Sequence, residues 1–155
     1  MRRDNLRTRF MKKNRLCFLT LVVTLAAALF LSGCGEDSNE QERLNKESEN
    51  MVNEAYEAQD YRRIIALADS LKPLGNLSEG KADFWLGYAY DRLMQKRMAE
   101  LYWKKGISAV ENSTDVEDVK LYAAIVQRLT GLMNVWGEYE AAQAIVLPAI
   151  ERMES

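Results

Sequence analysis

The sequence predicts an all-α chain of about three antiparallel helical hairpins behind a front segment of different character. Three observations carry this. From Ser38 onward apolar residues recur at three- and four-residue intervals, and no alternating β-branched run stands out. Only two prolines, Pro73 and Pro148, occur in 155 residues, a length suited to one domain. Charge is uneven: residues 1–33 hold seven Lys/Arg and one Asp, whereas residues 34–155 hold fourteen Lys/Arg and twenty-two Asp/Glu, a net −8.

The first helix is expected over 39–58, with Leu44, Met51, Val52 and Ala55 on one stripe. The second, over 60–72, should bury Tyr61, Ile64, Ile65, Ala68 and Leu71, and Pro73 with Gly75 ends it. The third, over 79–94, packs Ala82, Trp85, Leu86, Ala89 and Leu93, and the fourth, over 96–111, packs Ala99, Tyr102, Trp103, Ile107 and Val110. The fifth, over 115–135, opens at "STDVE", where Thr114 can cap the helix and Glu117 completes an S/T-x-x-E box. Apolar residues such as Tyr122, Val126, Leu129 and Met133 cover most of its surface, so it is expected to be the most buried helix. The sixth, over 138–153, sets Tyr139, Ala142, Val146, Ala149, Ile150 and Met153 on one stripe. Pro148 lies off that stripe, so a bend and not a break is expected there.

The front segment begins with a basic stretch from Arg2 to Arg15. Then follows "LCFLTLVVTLAAALFL", sixteen uncharged residues, short of the roughly 20 that a spanning helix needs. A basic start, an apolar middle and small residues at the end fit a secretory signal peptide over 1–33. Met11 opens "MKKNRLCFLT", a compact signal by itself, and is a candidate for the true start.

The ending "LSGC" resembles the lipobox of bacterial lipoproteins. The resemblance implies a diacylglycerol on Cys34, cleavage between Gly33 and Cys34, and acylation of the new amine. Two or more acyl chains anchor stably where one does not. The alternative is an ordinary signal, or an uncleaved anchor, that contains a cysteine. Cys17 would leave with the signal, so the mature chain would hold one cysteine and no intramolecular disulfide. Glu36 and Asp37 resemble the surface-export signal of Bacteroidetes-type lipoproteins, or they belong to a solvated acidic tether over 34–44. The stretch from Gly35 to Leu44 reaches at most about 35 Å when extended. Position 35 is Gly and not Asp, which departs from the inner-membrane retention signal of enteric bacteria. The expected location is the cell envelope, as an outer-membrane lipoprotein on either face of that membrane.

Within the helical domain, 45–155, "FWLGYAYDRLMQKRMAELYWKKGI" resembles a tetratricopeptide repeat. Leu86-Gly87-x-x-Tyr90 matches the L-G-x2-Y of the family's first helix, and Ala99-x3-Trp103 matches the A-x3-F of its second. Asp83 and Glu111 stand where the family carries Trp and Pro, so the copy is degenerate. "GEYEAAQAIV" and, more faintly, "AQDYRRIIALA" echo it; the anchors Tyr61, Lys96 and Tyr139 lie 35 and 43 residues apart. The resemblance implies a short right-handed stack of hairpins whose first helices line a concave face. A plain helical bundle is the alternative.

The chain has no histidine, which removes the commonest general base and metal ligand. Its acidic body lacks the basic footprint that nucleic acid requires. Asp115, Glu117 and Asp118 sit in a helix's first turn, where acids favour the dipole, and no calcium-loop spacing follows. No phosphate-binding loop or S-x-x-K is present. "DSL" at Asp69–Leu71 resembles a short O-glycosylation motif of Bacteroidetes, but it falls inside an expected helix. No catalytic residue, metal or cofactor is expected apart from covalent lipid on Cys34, and the chain is not expected to be an enzyme. The concave face implied by the repeat would carry Asn53, Tyr56, Phe84, Tyr88 and Arg92, with Glu49, Gln127 and Asn134 around them. Aromatics and Arg dominate binding energy, so this groove suits a peptide or a segment of another envelope protein. A glycan or nutrient stacking on the rings is the alternative. If Phe84 and Tyr88 instead cover a neighbouring helix, the domain is a spacer.

Overall fold

A computed structural model describes residues 36–154. The basic stretch, the apolar run, Met11, Cys17 and the box ending in Gly33 and Cys34 lie outside them. The described residues from Arg43 onward form one compact unit. Six helices and no strand occupy the described residues: α1 (Glu36–Glu57), α2 (Tyr61–Leu71), α3 (Glu79–Arg92), α4 (Lys96–Val110), α5 (Val116–Trp136) and α6 (Tyr139–Glu154). Each expected helix is present. α1 begins at Glu36, so its first turns occupy positions expected for the tether, and Glu36 to Leu44 rises only about 14 Å as helix.

The same closure ends α1, α3 and α5. Gln59 N–H donates to Tyr56 O (2.9 Å) and Asp60 N–H to Ala55 O (2.9 Å). Met94 and Gln95 repeat this on Asp91 and Tyr90 (3.0 and 2.8 Å), and Gly137 and Glu138 on Asn134 and Met133 (3.1 and 2.9 Å). Each turn places one residue in the left-handed region: Gln59 at φ 54, Met94 at φ 61 and Gly137 at φ 76. These are Schellman turns, in which the left-handed residue redirects the chain and the last carbonyls keep partners. Their spacing of 35 and 43 residues equals that of Tyr61, Lys96 and Tyr139. The same closure also follows α2, where Gly75 (φ 72) donates to Lys72 O (3.1 Å) and Asn76 to Leu71 O (3.2 Å).

Caps fix the starts. Asp60 accepts from Arg63 N–H, and Ser78 accepts from Lys81 N–H. The cap of α5 is Asp115, not Thr114: its carboxylate accepts from Glu117 N–H (2.8 Å) and Asp118 N–H (3.3 Å). A carboxylate meets both the unpaired N–H groups and the positive helix end, which a hydroxyl does less well. Ser113 Oγ accepts from Asp115 N–H and donates to Asp118, so the turn before α5 is cross-braced.

α3 is the central helix, packing on α2, α4 and α5. It buries Gly80, Ala82, Asp83, Leu86, Gly87 and Ala89 within fourteen residues, whereas α5 buries seven of twenty-one. α3, not α5, is thus the more deeply buried. The ends of α5, by contrast, leave Val116 and Val135 exposed. α3 and α4 run antiparallel, because residues later in α3 meet residues earlier in α4: Gly80 faces Val110, Gly87 faces Trp103, and Tyr90 stacks on Tyr102 at 5.4 Å. A methyl at Gly80 would stand 2.5 Å from Val110 Cγ1, and one at Gly106 would stand 2.9 Å from Ile125 Cδ1. The glycines thus let α3, α4 and α5 close on each other, and Trp103 and Ile125 fill the space beside them. Val52, Ala55, Ile64, Ala68, Leu86 and Ala89 form the adjoining core of α1, α2 and α3.

The inner row of α6 differs from expectation. Ala142 and Ala149 are buried with Ile145 and Val146 half-buried, but Tyr139 (67%), Ile150 (42%) and Met153 (50%) are exposed. The small alanines face α5, and no described helix follows to cover the other flank. Arg152 ties α6 down, donating to Val110 O (3.0 Å) and Ser113 O (2.5 Å) beyond the end of α4. A cation there also complements the negative end of α4. α6 runs unbroken through Pro148; the carbonyl of Ala144, which loses its helical donor, belongs to an exposed residue open to water.

Candidate binding groove

Five rings from three helices converge. Tyr56 of α1 meets Trp85 and Tyr88 of α3, with centroids 5.4 and 5.3 Å apart. Tyr61 of α2 approaches Tyr88 at 6.3 Å, and Phe84 approaches Trp85 at 5.3 Å. The i, i+1, i+4 spacing of Phe84, Trp85 and Tyr88 puts them on adjoining ridges of α3, and the Gln59 turn delivers Tyr56 and Tyr61 to one side of them. The rings are tilted or edge-on, with interplanar angles from 57° to 85° among Tyr56, Trp85 and Tyr88.

Two arginines border the cluster. Arg92 donates from Nε to Tyr61 Oη (3.3 Å) and lies over the Tyr61 ring. Arg128 of α5 sits 5.5 Å from the Tyr88 centroid. Such contacts hold a guanidinium in place without consuming its charge. Among the described residues neither arginine forms an ion pair. Burial, followed by the neighbouring Tyr56 hydroxyl, raises the Tyr88 phenol above its ordinary value against the opposing pull of Arg92, so it remains a neutral donor at neutral pH.

Beyond Arg128 lies a cavity of about 440 Å3 between α3, α4 and α5, walled by Trp103, Leu132, Gln127, Arg128 and the Asp91–Lys96 ion pair (2.6 Å). Gly131 forms part of its lining. Trp103 Nε1 is buried with no hydrogen-bond acceptor.

Of the residues expected in the groove, Tyr56, Tyr88 and Arg92 come together at this cluster. Asn53 is exposed on α1, one turn before Tyr56. Phe84 is half-buried and leans onto the core of α4 and α5, joining the cluster only through Trp85. Glu49 pairs with Lys81, Gln127 lines the cavity, and Asn134 is exposed outside it. Trp85 and Tyr61, expected in the core, are half-buried members of the ring cluster, and Arg128 was not anticipated. Trp85 lies at the edge of the apolar stripe of α3, and Arg128 follows Gln127, which was expected on that face; these are the only sequence signals that point to them.

Among the described residues no cluster of His, Cys, Asp and Glu could hold a metal ion, and no helix is long and apolar enough to cross a membrane. Compared with known families, with curated proteins and with solved structures, the chain has no match.

Proposed function

We propose that this chain is a lipoprotein of the bacterial outer membrane whose helical body is a short, right-handed, tetratricopeptide-like stack. It holds a segment of another envelope protein in the groove between α1, α3 and α5. The observation that carries this reading is the five-ring cluster with Arg92 and Arg128 at its border, neither in an ion pair among the described residues. Aromatic and arginine side chains are the groups that dominate protein interfaces. The L-G-x2-Y and A-x3-Trp match of α3 and α4, with Gly87 against Trp103, supports the repeat assignment. Lipidation at Cys34 and placement at the outer membrane rest on the "LSGC" box and the order of the front segment.

A glycan ligand is the second reading. Sugars stack on open, flat ring faces, whereas here the rings tilt onto one another and Tyr88 carries Arg128 over its face. That favours a peptide, with apolar side chains set among ring edges and acceptors set on the arginines.

Photo-crosslinking in cells tests the proposal. A crosslinker at Tyr56 of the full chain should capture one defined envelope protein, and a crosslinker at Lys120 should not. Combined Trp85→Ala and Tyr88→Ala should reduce capture at least tenfold with the helical circular dichroism unchanged. Capture of lipid or sugar alone, or equal protein capture from both positions, overturns it.

A further inference from the structure

Gly131 has no role in the packing of the fold. The glycines at 80, 87 and 106 each touch a neighbouring helix, and those at 75 and 137 hold left-handed turns. Gly131 does neither: it sits inside α5, and a methyl there would meet no atom within 4 Å. A glycine inside a helix is destabilising relative to alanine. What its missing side chain provides is room in the 440 Å3 cavity beside the ring cluster.

The charges around that room are unequal. Asp91 is neutralised by Lys96 at 2.6 Å, which leaves Arg128 as the uncompensated charge of the lining, next to the Gln127 amide. Leu132 and the 81%-exposed Val135 supply apolar wall. An occupant that suits all of these has a short apolar stem ending in an anion. Arg128 is held by Tyr88, so little side-chain freedom is lost when a carboxylate arrives.

We propose that this cavity is a side-chain pocket, opened by Gly131, that takes a glutamate side chain of the bound segment and sets its specificity through Arg128. This rests on the peptide-groove reading above. The glutamate methylenes lie along Leu132 and Val135, and its carboxylate accepts from the Arg128 guanidinium and the Gln127 amide.

The test uses the full chain in neutral detergent and fluorescence anisotropy with two pools of short peptides. Both pools randomise Leu, Phe, Ala, Ser and Gly around one central position, which is Glu in one pool and the near-isosteric Gln in the other. A charge-assisted hydrogen bond in such a site corresponds to at least roughly a tenfold preference for the Glu pool. Arg128→Gln should bring the two pools to equal affinity. Gly131→Leu should weaken Glu-pool binding at least tenfold without lowering the melting temperature, and Gly131→Ala provides a folded intermediate case. Equal affinity of the wild type for both pools overturns the glutamate pocket and leaves the groove standing. Undiminished binding by Gly131→Leu overturns it as well. Binding of neither pool overturns the groove along with it, and a uronate-bearing oligosaccharide that binds more tightly than either pool would replace the peptide.

Discussion

The Trp103 indole lies against the α-carbon of Gly87, with its Cδ1–Nε1 edge where a side chain at Gly87 would begin. The contact sets the separation of α3 and α4 and leaves Nε1 without an acceptor. Gly87→Ala should therefore destabilise the fold by about 1–3 kcal/mol, the usual cost of overpacking, despite alanine's better helix propensity. Trp103→Leu should also destabilise, by the loss of buried volume. Together the two should cost less than the sum of the singles, because the smaller side chain makes room for the methyl. Urea denaturation of the four proteins measures this, and additive effects would contradict the close approach.

Asp83 is 1% exposed and pairs with Lys72 Nζ at 2.8 Å, with Glu79 at 3.3 Å from the same ammonium. Removing one partner of a buried pair strands a charge, so Lys72→Met should cost about 3 kcal/mol. Burial opposes the Lys72 charge, but its hydrogen bonds and attraction to Asp83 and Glu79 outweigh this and raise it above its ordinary value. A raised folded value means the stabilisation is complete below the unfolded value, about 10.4, and lost as pH climbs through the folded one. The stability gap between wild type and Lys72→Met should stay constant from neutrality to about pH 10 and shrink above it. A gap that does not shrink as pH rises through the raised Lys72 value would contradict the pairing.

Met94 and Gly137 occupy the same position in successive Schellman turns, at φ 61 and φ 76. A side chain there costs about 1–2 kcal/mol that glycine avoids, less glycine's greater entropy loss. Met94→Gly should raise stability by about 0.5–1 kcal/mol, and Gly137→Ala should lower it by about 1 kcal/mol. Thermal melts of the pair check the opposite signs.

Asp115, not Thr114, receives the first N–H groups of α5. Asp115→Ala should cost about 1 kcal/mol, whereas Thr114→Ala should stay within about 0.5 kcal/mol. The reverse order would restore Thr114 as the cap.

Cys34→Ala should abolish incorporation of labelled fatty acid and cleavage after Gly33, with the helical signal retained. Labelled lipid on the Ala variant would refute the anchor.

Local chemistry is legible along the chain. Six helices, their approximate ends and the hairpin spacing follow from apolar periodicity and from punctuation at Pro73 and Gly75, which act within a few residues; the one cap read from the sequence, Thr114, gives way to its neighbour Asp115. Tyr56, Tyr88 and Arg92 were legible in the groove because they lie away from the apolar stripes of their helices. Trp85 was not, since a ring at the edge of a stripe turns inward or outward according to how the next helix crosses.

Only the tertiary structure decided that α3 is the centre, that Asp83 is buried against Lys72, that the flank of α6 bearing Ile150 and Met153 stays open, and that Arg128 reaches Tyr88. Periodicity reports which face of a helix is apolar, a one-dimensional property of backbone hydrogen bonding. Which faces meet, and how closely, depends on side-chain volumes at the crossings. Gly87 and Gly131 look alike in sequence; one lies under an indole and the other beside an open cavity, because the helix opposite comes close at the first and stands off at the second.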